Sequence, residues 1–164
     1  MKLAAPILVE KKEYCCGCGA CKAACKINAI TMKRDEYGFE FPVIDESKCV
    51  GCKKCKDVCA YQNGNNQNKT DKAFAAVSKS TDVMQSASGG VFASVAAEFI
   101  KSGGIAAGCS LESNDGRLEP KHILVDKLED LHKLLGSKYV HSDTSEIFEK
   151  IKQLLSDNKN ILFS

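Results

Sequence analysis

Nine of the ten cysteines in this 164-residue chain lie before residue 60, and eight of them repeat one spacing twice. Cys15-x2-Cys18-x2-Cys21-x3-Cys25 is followed by Cys49-x2-Cys52-x2-Cys55-x3-Cys59, and Cys49 stands 34 residues after Cys15. Short gaps let successive thiolates wrap one face of an iron–sulfur cube, while the fourth, one helical turn on, points elsewhere. A zinc site closes at four ligands, usually two CxxC pairs or a mixture of Cys and His. Here each run offers a third cysteine at the same interval, and no His lies nearby. A disulfide framework would suit a secreted chain, but no basic n-region with a cleavage site precedes the motif. The spacing therefore points to two [4Fe–4S] clusters and to electron transfer. Cys16 breaks the register; it is an alternative to Cys15 as a ligand, and its plainer reading is a small residue packed beside a cluster.

Two short strands must separate the cysteine runs. Ala29 to Lys33 and Phe39 to Ile44 have strand composition, joined by a turn at Asp35-Glu36-Tyr37-Gly38. Each run is expected to continue into a short helix, around Cys21–Ile27 and Cys55–Ala60. This hairpin, AITMKRDEYGF with PVIDESKCVGCKKC, resembles bacterial two-cluster ferredoxins. In those proteins the fourth cysteine of each run ligates the other cluster. The resemblance implies one cube on Cys15, Cys18, Cys21 and Cys59, and another on Cys49, Cys52, Cys55 and Cys25. Proline commonly follows the fourth cysteine in such runs; Lys26 and Ala60 stand there instead. Inorganic cores would substitute for the small apolar core that so short a unit can build.

Composition frames the rest. Hydrophobic content of 44% is ordinary for a globular chain, and no apolar stretch reaches the roughly eighteen residues of a membrane span. Reactive thiols in quantity suit a reducing cytoplasm. Formal charge is +2, but it counts the ligand cysteines as neutral. Two thiolate-bound cubes at about −2 each would carry the chain below zero, and the lysines are scattered, so nothing here asks for nucleic acid.

The chain divides into unlike parts: a ferredoxin-like domain over 1–61, a polar Asn/Gln-rich linker over 62–71, and an α/β pattern over 72–164. In the last, Phe74 to Val77 reads as a strand. A helix should run from Gly89 or Gly90 to Lys101, with Val91, Phe92, Val95, Ala96, Phe99 and Ile100 on one face. Ile105 to Leu111 and His122 to Val125 read as strands, Lys127 to Leu135 as a short helix, Glu146 to Leu155 as another after Thr144, and Asn160 to Phe163 as a strand ending at Ser164. The pattern stops without a closing element, as expected of a truncated domain. The fold class is thus α+β: a small two-cluster domain followed by an incomplete α/β domain of flavin-binding type.

Ser86-Ala87-Ser88-Gly89-Gly90 opens the longest apolar helix, where free N–H groups and the helix dipole favour an anion. Ser88 would serve equally as a plain cap. SASGGVFASVAAEFIKSGGIAAGC, with LGSKYVHSDTSEIFEKIKQLL and NILFS, resembles the family of coenzyme F420 hydrogenase and dehydrogenase beta subunits, which are iron–sulfur flavoproteins. That resemblance implies FAD against Ser88, Gly89 and Gly90, with Gly136, Ser137, Lys138 and Tyr139 in the flavin pocket and Lys138 answering a phosphate or reduced-flavin charge. It implies an oxidoreductase, though the chain alone need not be active. The redox partner would be ferredoxin, hydrogenase or dehydrogenase subunits, or coenzyme F420. A carrier module without a catalytic site of its own is the alternative. Cys109 reads as a small hydrophobe in a strand, and His122, His132 and His141 are spaced too irregularly to form a metal set.

Overall fold

The structure, a computed structural model, describes residues 3–63, 70–79, 86–142 and 144–164. It divides into two compact units. One comprises Met1–Lys69 with Asp143–Phe148, and the other Thr70–Ser142 with Glu149–Ser164.

In the first unit, α1 (Ala20–Ala23) precedes the antiparallel hairpin of β1 (Ile30–Arg34) and β2 (Glu40–Ile44), and α2 (Lys54–Asp57) and α3 (Ala60–Asn63) follow. The hairpin pairs Ile30 with Ile44 and Arg34 with Glu40. Asp35 fixes its turn: Oδ1 accepts the N–H groups of Tyr37 and Phe39, each at 3.0 Å, while Gly38 supplies a left-handed φ of 86°. The core is small. Leu8, Ile30 and Cys55 are buried together, with Cys21, Cys25 and Ile44 packed against them, so cysteines occupy places that larger units give to leucine. The helices after the cysteines are one turn each, shorter than the sequence suggests. Of the expected linker, Gln62 and Asn63 belong to α3, whereas 64–69 lie outside the described residues.

The second unit is built on α4 (Val91–Lys101) and a three-stranded sheet in the order β4-β3-β5, formed by β3 (Ile105–Asn114), β4 (Arg117–Val125) and β5 (Ile161–Phe163). α5 (Ser145–Ser156), which belongs to this unit from Glu149 onward, precedes β5. Strand β3 pairs antiparallel with β4 and parallel with β5. α4 packs Ala96 and Ile100 against Ala106, Val125, Leu131 and Leu134, and Ala93 is buried as well. Of the expected apolar face, Val91 and Val95 are instead 47% and 50% exposed, because the buried stripe runs through Ala93, Ala96 and Ile100. Its C-terminus closes as a left-handed Gly103 lets Gly104 N–H reach Phe99 O at 2.9 Å.

Two further expectations need correction. Phe74 to Val77 forms no strand: Phe74 and Val77 are 84% and 70% exposed, and the next residue, Ser78, bonds Gly89 O through its N–H at 2.7 Å and Ser94 Oγ through its hydroxyl at 2.5 Å. Lys127 to Leu135 is a 3-10 helix over Leu128–Leu134 rather than an α-helix. The strands expected over Ile105–Leu111 and His122–Val125 are present and longer, as the arms of one hairpin turned at Asp115-Gly116 with φ of 48° and 77°. Two consecutive positive φ values suit the right-handed twist of the flanking strands.

Candidate functional site

The backbone repeats itself around the two cysteine runs. Gly17 and Gly51 both adopt left-handed φ, 66° and 71°, and each points its N–H at the sulfur two residues earlier, Cys15 Sγ and Cys49 Sγ, at 3.4 Å. A side chain at Gly51 would place Cβ 2.4 Å from Leu3 Cβ. Gly19 and Lys53, again left-handed, then start α1 and α2.

This geometry sorts the cysteines into two cavities within the first unit. Cys15, Cys18, Cys21 and Cys59 line one, together with Cys16 and Cys55. Cys25, Cys49, Cys52 and Cys55 line the other. The fourth cysteine of each run thus faces the cavity of the opposite run. The remaining walls of both are largely apolar: Leu8, Met32, Pro42 and Tyr61 at the first, Pro6, Ile27, Ile30 and Ile44 at the second. Burial pushes the Cys21 thiol up to about 12 and raises Cys18 and Cys55 in the same direction. Such thiols ionise only against a strong positive partner, and an iron centre supplies one. Among the described residues no three His, Cys, Asp or Glu side chains close around a point for a single metal ion. Thiols are the donors that iron–sulfur cubes take, and cysteines supply them at both cavities.

A third cavity, of about 320 Å³, lies within the second unit. Gly90, Gly136, Ser137 and Lys138 line it, with Ser86 and Cys109. Ser88, Gly89 and Tyr139 do not. Ser88 takes φ 56° and turns the chain toward α4. Gly89 packs so closely that a Cβ would sit 2.1 Å from Ala76 O. Tyr139 is 94% exposed. Lys138 Nζ donates to Leu135 O at 2.6 Å and Lys133 O at 3.3 Å, capping the carbonyls at the end of the 3-10 helix. Burial holds its pKa below the ordinary lysine range, with Cys109 opposing the shift. Ser86 Oγ is buried and has no hydrogen-bond partner among the described residues. The polar lining is thus Ser86, Ser137, Ser164 and the Lys138 ammonium, beside the N-terminus of α4. The sequence reading of site residues lacks Cys109 and Ser86; Ser86 was legible in the serine-rich run before α4, but the place of Cys109 depends on β3 register.

Comparison with known proteins finds two families along the chain. Residues 14–63 match the family described as 4Fe-4S dicluster domain, and residues 73–149 match the family described as coenzyme F420 hydrogenase/dehydrogenase, beta subunit N-term. An F(420)H(2) dehydrogenase subunit of Methanosarcina mazei is 31% identical over 89% of this chain and 45% of its own length. A ferredoxin-like protein in the nif region of Sinorhizobium fredii is 41% identical over 29% of this chain and 75% of its own. The chain thus spans less than half the length of the dehydrogenase subunit it matches. Among the described residues no helix is long and apolar enough to cross a membrane. Residues 14–63 thus carry a dicluster iron–sulfur domain, an electron-transfer module, and residues 73–149 are similar to the N-terminal region of coenzyme F420 hydrogenase/dehydrogenase beta subunits.

Proposed function

We propose that the chain passes electrons between FAD and a redox partner through two [4Fe–4S] clusters. Cys15, Cys18, Cys21 and Cys59 hold one cube, and Cys25, Cys49, Cys52 and Cys55 the other. The observation that carries this reading is the crossing of Cys25 and Cys59 into opposite cavities. Backbone N–H groups of Gly17, Ala29 and Gly51 stabilise thiolate charge at Cys15, Cys25 and Cys49. FAD, when bound, supplies the exchange between electron pairs and single electrons. The α4 N-terminus at Gly90, the Ser86 hydroxyl and the Lys138 ammonium would bind its anionic portion, and Phe92 and Leu134 would exclude water beside it. The 1–61 and 72–164 segments are then the cluster-bearing and flavin-binding portions. The partner is a ferredoxin, a hydrogenase or dehydrogenase subunit, or coenzyme F420, the last two in keeping with the matched family.

Equilibrium dialysis of the reconstituted chain against FAD tests the flavin half. Saturable binding near one FAD per chain, weakened in Lys138→Gln, supports it. Full cluster content without any FAD retention would leave an electron-carrier module.

A further inference from the structure

The duplication is imperfect where it matters most for charge. Positions 34 residues apart correspond, so Gly19 and Ala20 of the first run answer to Lys53 and Lys54 of the second. Gly19 and Ala20 line the cavity of Cys15, Cys18, Cys21 and Cys59, whose described lining carries no charged side chain. Lys53 and Lys54 line the cavity of Cys25, Cys49, Cys52 and Cys55. Lys53 holds φ 60°, the left-handed conformation that Gly19 holds at 71°. Glycine adopts that conformation without strain and lysine does not. A strained lysine at this place is a reason to look for a role.

Two further asymmetries point the same way. Ala29 N–H donates to Cys25 Sγ at 3.3 Å, whereas its counterpart, Asn63 N–H, goes to Cys59 O at 3.0 Å. Cys52 is exposed, while its counterpart Cys18 is only partly so. A cube becomes more negative on reduction. Positive charge, N–H donors on its sulfurs and solvent at a ligand all favour the reduced state and raise the potential.

Resting on the two-cluster reading above, we infer that Lys53 and Lys54 hold the cube of Cys25, Cys49, Cys52 and Cys55 at a higher potential than the cube of Cys15, Cys18, Cys21 and Cys59. A single electron on the first cube then passes to the second, one oxidised and one reduced by the same electron, and rests beside the exposed Cys52.

The test is potentiometry of the anaerobically reconstituted chain, followed by electron paramagnetic resonance. The wild type should give two separate one-electron couples. Lys53→Gln, which keeps the stem and removes the charge, should lower the higher couple alone. The expected loss is up to tenfold in electron affinity, about 59 mV for one electron, with iron and sulfide unchanged. Lys53→Gly should lower the same couple while raising Tm, because the left-handed strain is relieved. Coincident couples, a shift of the lower couple, equal shifts of both, or no shift would each overturn the assignment at full iron content. Fewer than about eight irons in the wild type would sink the two-cluster reading, and this assignment with it.

Discussion

At the scale of single residues, the eight cysteines differ in what surrounds them. Cys55 is buried and lines both cavities, whereas Cys52 is exposed and lines one. Cys52→Ser should therefore cripple one cluster while the other assembles. Iron per chain should fall to roughly half, and one of the paramagnetic signals should vanish; unchanged iron would show that Cys52 is not a ligand. Lys138 sits at a junction of structure and binding. It caps the carbonyls of Leu135 and Lys133, a contribution of about 0.3–1 kcal/mol. It also lines the 320 Å³ cavity. Lys138→Gln should lower Tm only slightly yet weaken FAD retention about tenfold, about 1.4 kcal/mol. A large drop in Tm with retention unaltered would make Lys138 a cap and nothing more.

Elements show why glycines of similar φ are not equivalent. Gly116, at φ 77°, has open space where a Cβ would go, so Gly116→Ala should cost only the left-handed penalty, about 1 kcal/mol. At Gly51, φ 71°, the added Cβ would also meet Leu3 Cβ at 2.4 Å and Ala4 O at 3.0 Å. Gly51→Ala should therefore cost several times more and reduce loading of the cluster on Cys49. Denaturant unfolding of both variants checks the ordering; equal costs would remove the packing argument. In β4, His122 stacks on Phe163 with ring centroids 5.6 Å apart and bonds Ser142 Oγ through Nδ1 at 2.9 Å. Burial first, and the charge of His141 second, hold its pKa below 6.5. Folding thus favours the neutral ring. The contribution is fully present above the unfolded pKa of about 6.5 and is lost as pH falls through the depressed folded value. Tm should decline below about pH 6.5, and His122→Phe should flatten that decline; a profile identical to wild type would contradict it.

The same scale explains what the sequence made legible. The cysteine runs and the Asp35 turn are local patterns, and local spacing sets them; the α4 helix is legible too, but its buried face takes in Ala93 and leaves Val91 and Val95 exposed. The β3–β4 hairpin is different, for its outer half, Leu111 to Glu119, lies largely exposed and lacks apolar alternation. Asp115-Gly116 was the available signal. Phe74 to Val77 has strand composition but no partner strand among the described residues, so propensity alone predicts too much. The third cavity gathers Ser86, Cys109, Gly136 and Lys138 from separate elements. Only register and packing bring Cys109 to that wall.

For the molecule as a whole, the two units rest on different kinds of core. The first has Leu8, Ile30 and Cys55 at its centre, with Cys21, Cys25 and Ile44 packed against them. The second packs Ala96, Ile100, Ala106, Val125, Leu131 and Leu134 against one another. Removing the clusters should therefore strip hydrogen-exchange protection from β1 and β2 and spare β3 and β4. Uniform loss across the chain would argue against separate cores. The central claim is that eight cysteines hold two iron–sulfur cubes. Iron and acid-labile sulfide per chain, measured after anaerobic reconstitution, test it most directly. The account predicts about eight of each, with a spectrum on reduction showing two interacting clusters; bound zinc, or iron and sulfide near four per chain, would contradict it.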